Sequence, residues 1–199
     1  MLSFIIVMKL SGSYQINLEK QKVWEALNNP EILKQAIPGC EEFVKKSKTE
    51  FTATATNKIG PFNASFTGDI ELTDINPPNS YKITGSGNSP VGFATGEATV
   101  KLENHENGTN LIYEVEANVG GKIAQVGSRL IDMTAKKMAD IFFGKFSELI
   151  SSEDNQASDI ISEEKIDQEN QPKSKNQNQK ILIYAAVTLG VAVLIYSIF

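Results

Sequence analysis

Few residues in this 199-residue chain could do covalent or acid–base chemistry: it holds one Cys (Cys40), one His (His105) and one Arg (Arg129). A nucleophilic pair would need the imidazole beside the thiolate. Cys40, however, follows the Pro38-Gly39 turn at the head of an extended segment, and His105 falls in the turn-like Asn104–Gly108 stretch. They read as a packed or half-buried structural thiol and a solvated loop imidazole; folding could bring them together, but nothing in their spacing requires it. Glu41 and Glu42 are neighbours, so on a strand they point to opposite faces and cannot act as a carboxylate pair. Gly85-Ser86-Gly87 and Gly120-Gly121-Lys122 lack both the spacing of a dinucleotide or phosphate loop and a parallel βαβ context. Arg129 suits a carboxylate or phosphate, and Lys122, Lys136 and Lys137 share its segment. An ion pair from Arg129 to Asp132 or Asp140 is expected ahead of a ligand contact. One Cys and one His leave neither a disulfide scaffold nor a multi-thiolate or His metal cluster. The residues do not support catalysis, and no tightly bound cofactor or metal is expected.

The composition is that of a globular protein, 41% hydrophobic and 22% charged, which excludes wholesale disorder and a multi-pass membrane protein. A net charge of −5 argues against a nucleic-acid-binding domain. These averages conceal three different stretches. Residues 1–150 are nearly neutral, with a net charge of −2. From Ser151 to Lys180 the chain is polar and has no aromatic residue; acidic residues precede Pro172, and Lys173, Lys175 and Lys180 follow it. Such a stretch cannot bury enough apolar area to offset chain entropy and reads as a disordered linker, with a reach of roughly 30 Å. Ile181–Phe199 carries no charge. As a helix it would span about 28 Å, close to the hydrocarbon thickness of a bilayer. It reads as a transmembrane tail anchor, and the flanking lysines place the preceding domain on the cytoplasmic side. Ala186 and Gly190 form a weak helix-pairing signal. At the other end, Met1–Met8 is apolar but lacks the basic leader and cleavage site of a signal peptide. Met8 is the candidate start, which would make 1–7 an extension.

The elements that must position any site lie in residues 8–150. A strand pattern at Lys9–Asn17 precedes a helix over Glu19–Asn28 with Val23, Trp24 and Leu27 on one face and Asn17 as a fair N-cap. Pro30 opens a second short helix that Pro38-Gly39 ends. Six segments of period-two alternation follow: Cys40–Ser47, Glu50–Ile59, Phe62–Ile75, Ser80–Asn88, Gly92–Asn104 and Asn110–Gly120. Lys122–Ile150 then repeats apolar residues, among them Leu130, Met133, Met138, Ile141, Phe142 and Phe146, as one long amphipathic helix. The order implies an α+β fold, a curved antiparallel sheet wrapped around a long C-terminal helix. On the inward set of strand positions small residues dominate near the middle: Gly68, Gly85, Gly87, Ala94, Gly96, Ala98. Such a face either lets the helix approach closely or leaves an apolar cavity. The adaptable side chains of Met133 and Met138 favour the cavity.

Four segments carry a family resemblance: AIPGC at Ala36–Cys40, IGPFNASFTGDIELTDINPP at Ile59–Pro78, GFATGEATVKL at Gly92–Leu102 and VGGKIAQVGSRLID at Val119–Asp132. Together they resemble the carbon monoxide dehydrogenase G-subunit family, of the START-type helix-grip superfamily of polyketide cyclases and lipid-transfer domains. The likeness covers about residues 8–150, and several family members also carry a C-terminal membrane helix after a variable linker. It implies a helix-grip ligand-binding domain at 8–150, followed by the linker 151–180 and the membrane anchor 181–199. It further implies an accessory role rather than an enzymatic one: recruiting a CO-dehydrogenase-type molybdenum hydroxylase to the cell membrane and binding or shuttling respiratory quinone, menaquinone or ubiquinone. An enzyme of polyketide-cyclase or hydratase type and a general lipid-binding protein are the alternatives. Resemblance and geometry together nominate Phe66, Phe93, Gly96, Val119, Ile123, Leu130, Met133, Thr134 and Met138 as cavity residues, with the mouth beside Gly120-Gly121.

Overall fold

A computed structural model describes the backbone over residues 5–168 and the side chains over 5–152. Strand β1 (Ile5–Ile16) leads into helices α1 (Lys20–Leu27) and α2 (Pro30–Ala36). Six strands follow, β2 (Cys40–Lys45), β3 (Glu50–Ile59), β4 (Phe62–Asn76), β5 (Ser80–Ser89), β6 (Gly92–His105) and β7 (Gly108–Gly120). A 3₁₀ turn at Lys122–Val126 then precedes helix α3 (Ser128–Gln168). All strand pairs are antiparallel, in the order β1-β7-β6-β5-β4-β3-β2. β2 to β7 form a meander because tight turns join them. β1 closes on the last strand, so the α1–α2 segment must cross from one sheet edge to the other. α1 packs against β6 and β7, and α2 against β2.

Register bears out the inward set. Tyr81, Val100 and Tyr113 lie opposite one another in a cross-strand row, and Leu72, Ile83, Ala98, Val115 and Leu10 form the next. Ile70, Gly85, Gly96 and Ala117 make a third row. Irregularities between Cys40 and Glu42 and between Thr73 and Asn76 interrupt the ladder, and such bulges bend strands. At the second, Asp74 takes φ 48° and its carboxylate meets Lys82 Nζ at 2.7 Å on the outer surface.

Several expected boundaries shift for identifiable reasons. β1 begins at Ile5 rather than Lys9, because the alternation continues upstream: Ile6 and Met8 pack inward while Ile5 and Val7 stay exposed. Glu19, not Asn17, occupies the N-cap of α1 and makes no side-chain cap bond. At α2 the Asn29 side chain does cap, accepting from the Glu31 N–H at 3.0 Å, with Pro30 at the first helical position. The single helix expected over Lys122–Ile150 is broken at Gly127, whose φ of 88° lies in the left-handed region. Helical backbone then passes Ile150 to Gln168, through a stretch from 145 to 171 that contains neither Gly nor Pro. That span overlaps the first part of the expected linker. Residues 169–180 and the expected membrane segment 181–199 lie outside the described residues. Among the described residues no helix is long and apolar enough to cross a membrane.

The main core joins the concave sheet face, α1, α2 and the middle of α3 through Val23, Trp24, Leu27, Phe51, Leu111, Phe143, Phe146 and Ile150. Phe146 is 0% exposed, a burial that contributes about 2–3 kcal/mol. A second cluster, Ala64, Val119, Ile123 and Ile131, fills the other end of the concave face.

Candidate functional site

Between the sheet, α2 and α3 the main core leaves a cavity of about 510 Å³, within the roughly 300–1,000 Å³ range of small-molecule sites. Its floor is the concave face: Ile70, Leu72, Ile83, Ala98, Val100 and Val115. Ala98 leaves depth where a larger residue would fill it, since its row neighbours Ile83 and Val115 flank it at full size. Leu33, Ile37 and Pro38 of the α2 end form one wall, with Phe43, Ala55 and Asn57 beside them. Met138, Ala139, Phe142 and Phe143 of α3 form the roof. The lining is buried at Leu72, Tyr81, Val100, Leu111 and Tyr113 and half-buried at Leu33, Ile37, Asn57 and Met138, as it is along Ile70, Ile83, Ala98 and Val115. The closed end therefore lies at the tyrosine row and the open end beside α2 and Met138.

An aromatic wall fixes α3 over the floor. Phe143 stacks on Tyr14, ring centroids 4.2 Å apart, and on Tyr113 at 5.3 Å. The Tyr14 hydroxyl donates to Asp140 Oδ1, tying edge strand β1 to the helix. Tyr113 lies over Gly12, its cross-strand partner: a Cβ on residue 12 would sit 2.6 Å from the Tyr113 hydroxyl.

Among the described residues no Asp, Glu, Lys, Arg or His lines the cavity. Its titratable groups, Tyr81 and Tyr113, are both held above the ordinary phenol value, Tyr81 strongly, by burial. Asn57 Nδ2 donates to the Pro38 carbonyl at 2.9 Å, fixing the α2–β2 corner at the open end. Cys40 stays a half-buried free thiol, its pKa raised chiefly by burial, and donates weakly to the Glu42 carbonyl at 3.3 Å. His105 ends β6, remote in sequence from Cys40, and its ring meets the exposed Gln15 amide at 3.3 Å. Asp140 accepts from Tyr14, and among the described residues no ion pair joins Arg129 to Asp132 or Asp140. Among the described residues no group of His, Cys, Asp and Glu could hold a metal.

Of the nine nominated residues, Met138 lines this cavity. Phe66, Val119 and Ile123 are brought together instead in the second cluster. Leu130 points toward Gly60, and the Thr134 hydroxyl is used within α3, donating to the Leu130 carbonyl at 2.8 Å. Met133 is 60% exposed and Ile141 46%, because the helix turns Ile131 and Phe143 inward. Phe93 pairs with Gly120, one position off the inward row of Ala94 and Val119, and its ring covers that glycine. Gly96 sits on an inward row, but its position abuts Ala117 and the Glu116 carbonyl rather than this cavity. The Gly120-Gly121 turn lies against Val91 and Gly92, away from the half-buried lining. The missed contributors were Leu33, Ile37 and Asn57 on the α2 side and Phe142 and Phe143 on the helix. The signal for the latter was available in the aromatic run 142–146, since Phe at i, i+1 and i+4 presents one continuous face.

A family model described as CoxG, the carbon monoxide dehydrogenase G-subunit, matches residues 12–151. A crystal structure of a conserved protein from Geobacillus kaustophilus is similar at 30% identity and TM-score 0.70, covering 73% of this chain and 96% of that one. An uncharacterized protein from Rhizobium leguminosarum matches at 14% identity and TM-score 0.60, over 76% of this chain and 99% of that one. The Zhui aromatase/cyclase from a Streptomyces species matches at 10% identity and TM-score 0.52, over 74% and 94%. The last two show likeness of fold alone. No curated protein matches.

Proposed function

The chain belongs to the CoxG family of carbon monoxide dehydrogenase, and from that premise we propose that it binds respiratory quinone and brings a CO-dehydrogenase-type molybdenum hydroxylase to the membrane. The observation that carries the binding half is the cavity of about 510 Å³, apolar on floor, wall and roof and free of charged lining among the described residues. Burying an apolar ring and the first part of a tail there releases water from apolar surface, at about 25 cal/mol per Å². A carboxylate or ammonium ligand would lose its hydration with no partner charge to replace it. The partner half is supported by the family's name, and the anchoring half by the uncharged run 181–199 behind Lys173, Lys175 and Lys180. On this reading the folded domain sits on the cytoplasmic side and presents quinone to the enzyme. The fold shared with an aromatase/cyclase keeps a cyclase-type activity as the second reading, but a lining without an acid–base pair favours carriage over turnover.

Trp24, the only Trp in the chain, stands edge-on to Tyr81 with centroids 5.3 Å apart, and so reports on the closed end of the cavity. The purified full chain, titrated with a short-tailed quinone such as decylubiquinone, should show saturable quenching of Trp24 emission. Ala98→Phe should abolish it by filling the floor while the circular dichroism spectrum is kept. Absence of saturable quenching in the wild-type protein would refute quinone binding. Failure of the full chain to retain a molybdenum hydroxylase from its host's extract would refute recruitment.

A further inference from the structure

Resting on the reading that the cavity holds an apolar ligand, the structure also bears on which end of that ligand enters first. Tyr81 is 5% exposed, lies at the closed end and lines the cavity. Its ring is held by the edge of Trp24, but its hydroxyl has no hydrogen-bond partner among the described residues. No fully enclosed side-chain oxygen or nitrogen among them lacks a partner. The Tyr81 hydroxyl therefore keeps an accessible face, and the cavity is the space that Tyr81 lines. Burial keeps this phenol protonated far above neutral pH, so it is available as a donor. A ligand that fills the cavity displaces water from this hydroxyl, and only a ligand carrying an acceptor replaces the bond that is lost.

We propose that Tyr81 is the head-group recognition residue: it donates to a neutral carbonyl oxygen on the ligand, which enters head first with its apolar tail trailing past Met138 and the α2 wall. The chemical class is an uncharged apolar ketone, quinone or ester. A plain hydrocarbon would leave the phenol unpaired. A fatty acid would bring an anion into a lining that, among the described residues, offers neither Lys nor Arg. The half-buried residues Leu33, Ile37 and Met138 at the opposite end suit a tail that emerges there.

The test uses the full chain and two probes, decylubiquinone as the neutral diketone and palmitate as the anion, with binding read calorimetrically and the bound carbonyl stretch read by infrared spectroscopy. The wild-type protein is expected to bind decylubiquinone more tightly than palmitate, with the carbonyl stretch lowered from its value in hydrocarbon. Tyr81→Phe, which keeps the ring, is expected to weaken decylubiquinone binding about 3- to 10-fold, the loss of one neutral hydrogen bond, and to return the stretch to the hydrocarbon value. If Tyr81→Phe binds as tightly as wild type with the same stretch, the proposal is overturned while the apolar cavity stands. The same holds if the wild-type stretch equals that in hydrocarbon, a measurement that needs no variant, or if palmitate binds more tightly. If wild type binds neither probe, both this inference and the quinone-binding reading fall.

Discussion

The ring of Tyr113 occupies the space that a side chain at Gly12 would take, its hydroxyl 2.6 Å and its ring carbons 2.9 Å from the Cβ position. The two residues are register partners on β1 and β7, so the glycine seats an aromatic wall that Phe143 then covers from α3. Gly12→Ala should displace Tyr113 toward the helix and destabilise the domain by about 1–3 kcal/mol, as overpacking does. A thermal or urea unfolding series reads this directly, and an unchanged midpoint would mean that the ring swings aside freely.

The burial of Tyr14, together with its bond to Asp140, makes stability sensitive to alkali. Burial, followed by the Asp140 bond and charge, pushes the Tyr14 phenol from 10.0 up to about 12. Between those values the unfolded chain has lost this proton while the folded chain keeps it. Stability therefore falls as pH rises through that window, and the contribution is fully present below pH about 10. Tyr14→Phe should flatten this part of the profile while lowering stability at neutral pH. The near-ultraviolet phenolate titration should likewise lose one late step. A pH profile identical in both proteins would contradict the assignment.

Thr109 is fully buried, and its hydroxyl donates to the Leu18 carbonyl at 2.7 Å, pinning the β1–α1 connection to the start of β7. Thr109→Val keeps the shape and removes the donor, leaving the part-buried Leu18 carbonyl without this partner. A loss of about 1–3 kcal/mol is expected in denaturant unfolding with an unchanged slope.

Met133 and Met138 separate the roof of the cavity from the exposed face of α3. Met138→Asp places a carboxylate against Ala139, Phe142 and the floor, and should reduce quinone quenching of Trp24 by at least about tenfold. Met133→Asp changes a residue 60% exposed and should leave that affinity and the unfolding midpoint within error. Equal losses from both would place the cavity on the wrong face of the helix.

The rotational phase of α3 was not legible in its residues. Its apolar positions 130, 131, 133, 138, 141, 142, 143 and 146 cover so wide an arc that several helical phases bury a comparable set. The phase observed turns Ile131 and Phe143 inward, and it is set by Tyr14 and Tyr113, partners more than a hundred residues upstream or on another strand. Phe93 shows the reverse case: period-two alternation with Ala94 and Gly96 already placed it on the outer face, and its size made it look like core.

The strands, their turns and the inward rows follow from the order of residues alone, because alternation with period two is a local property that each strand carries independently. The same local reading leaves one imidazole, His105, and one thiol, Cys40, for any pairing that needs them. Where the empty space lies was settled only by the packing of distant elements. A cavity is what facing elements fail to fill, so its position beside Tyr81, Ala98, Ile37 and Met138 depends on the crossing of α3 and the docking of α2 over rows far apart in the chain.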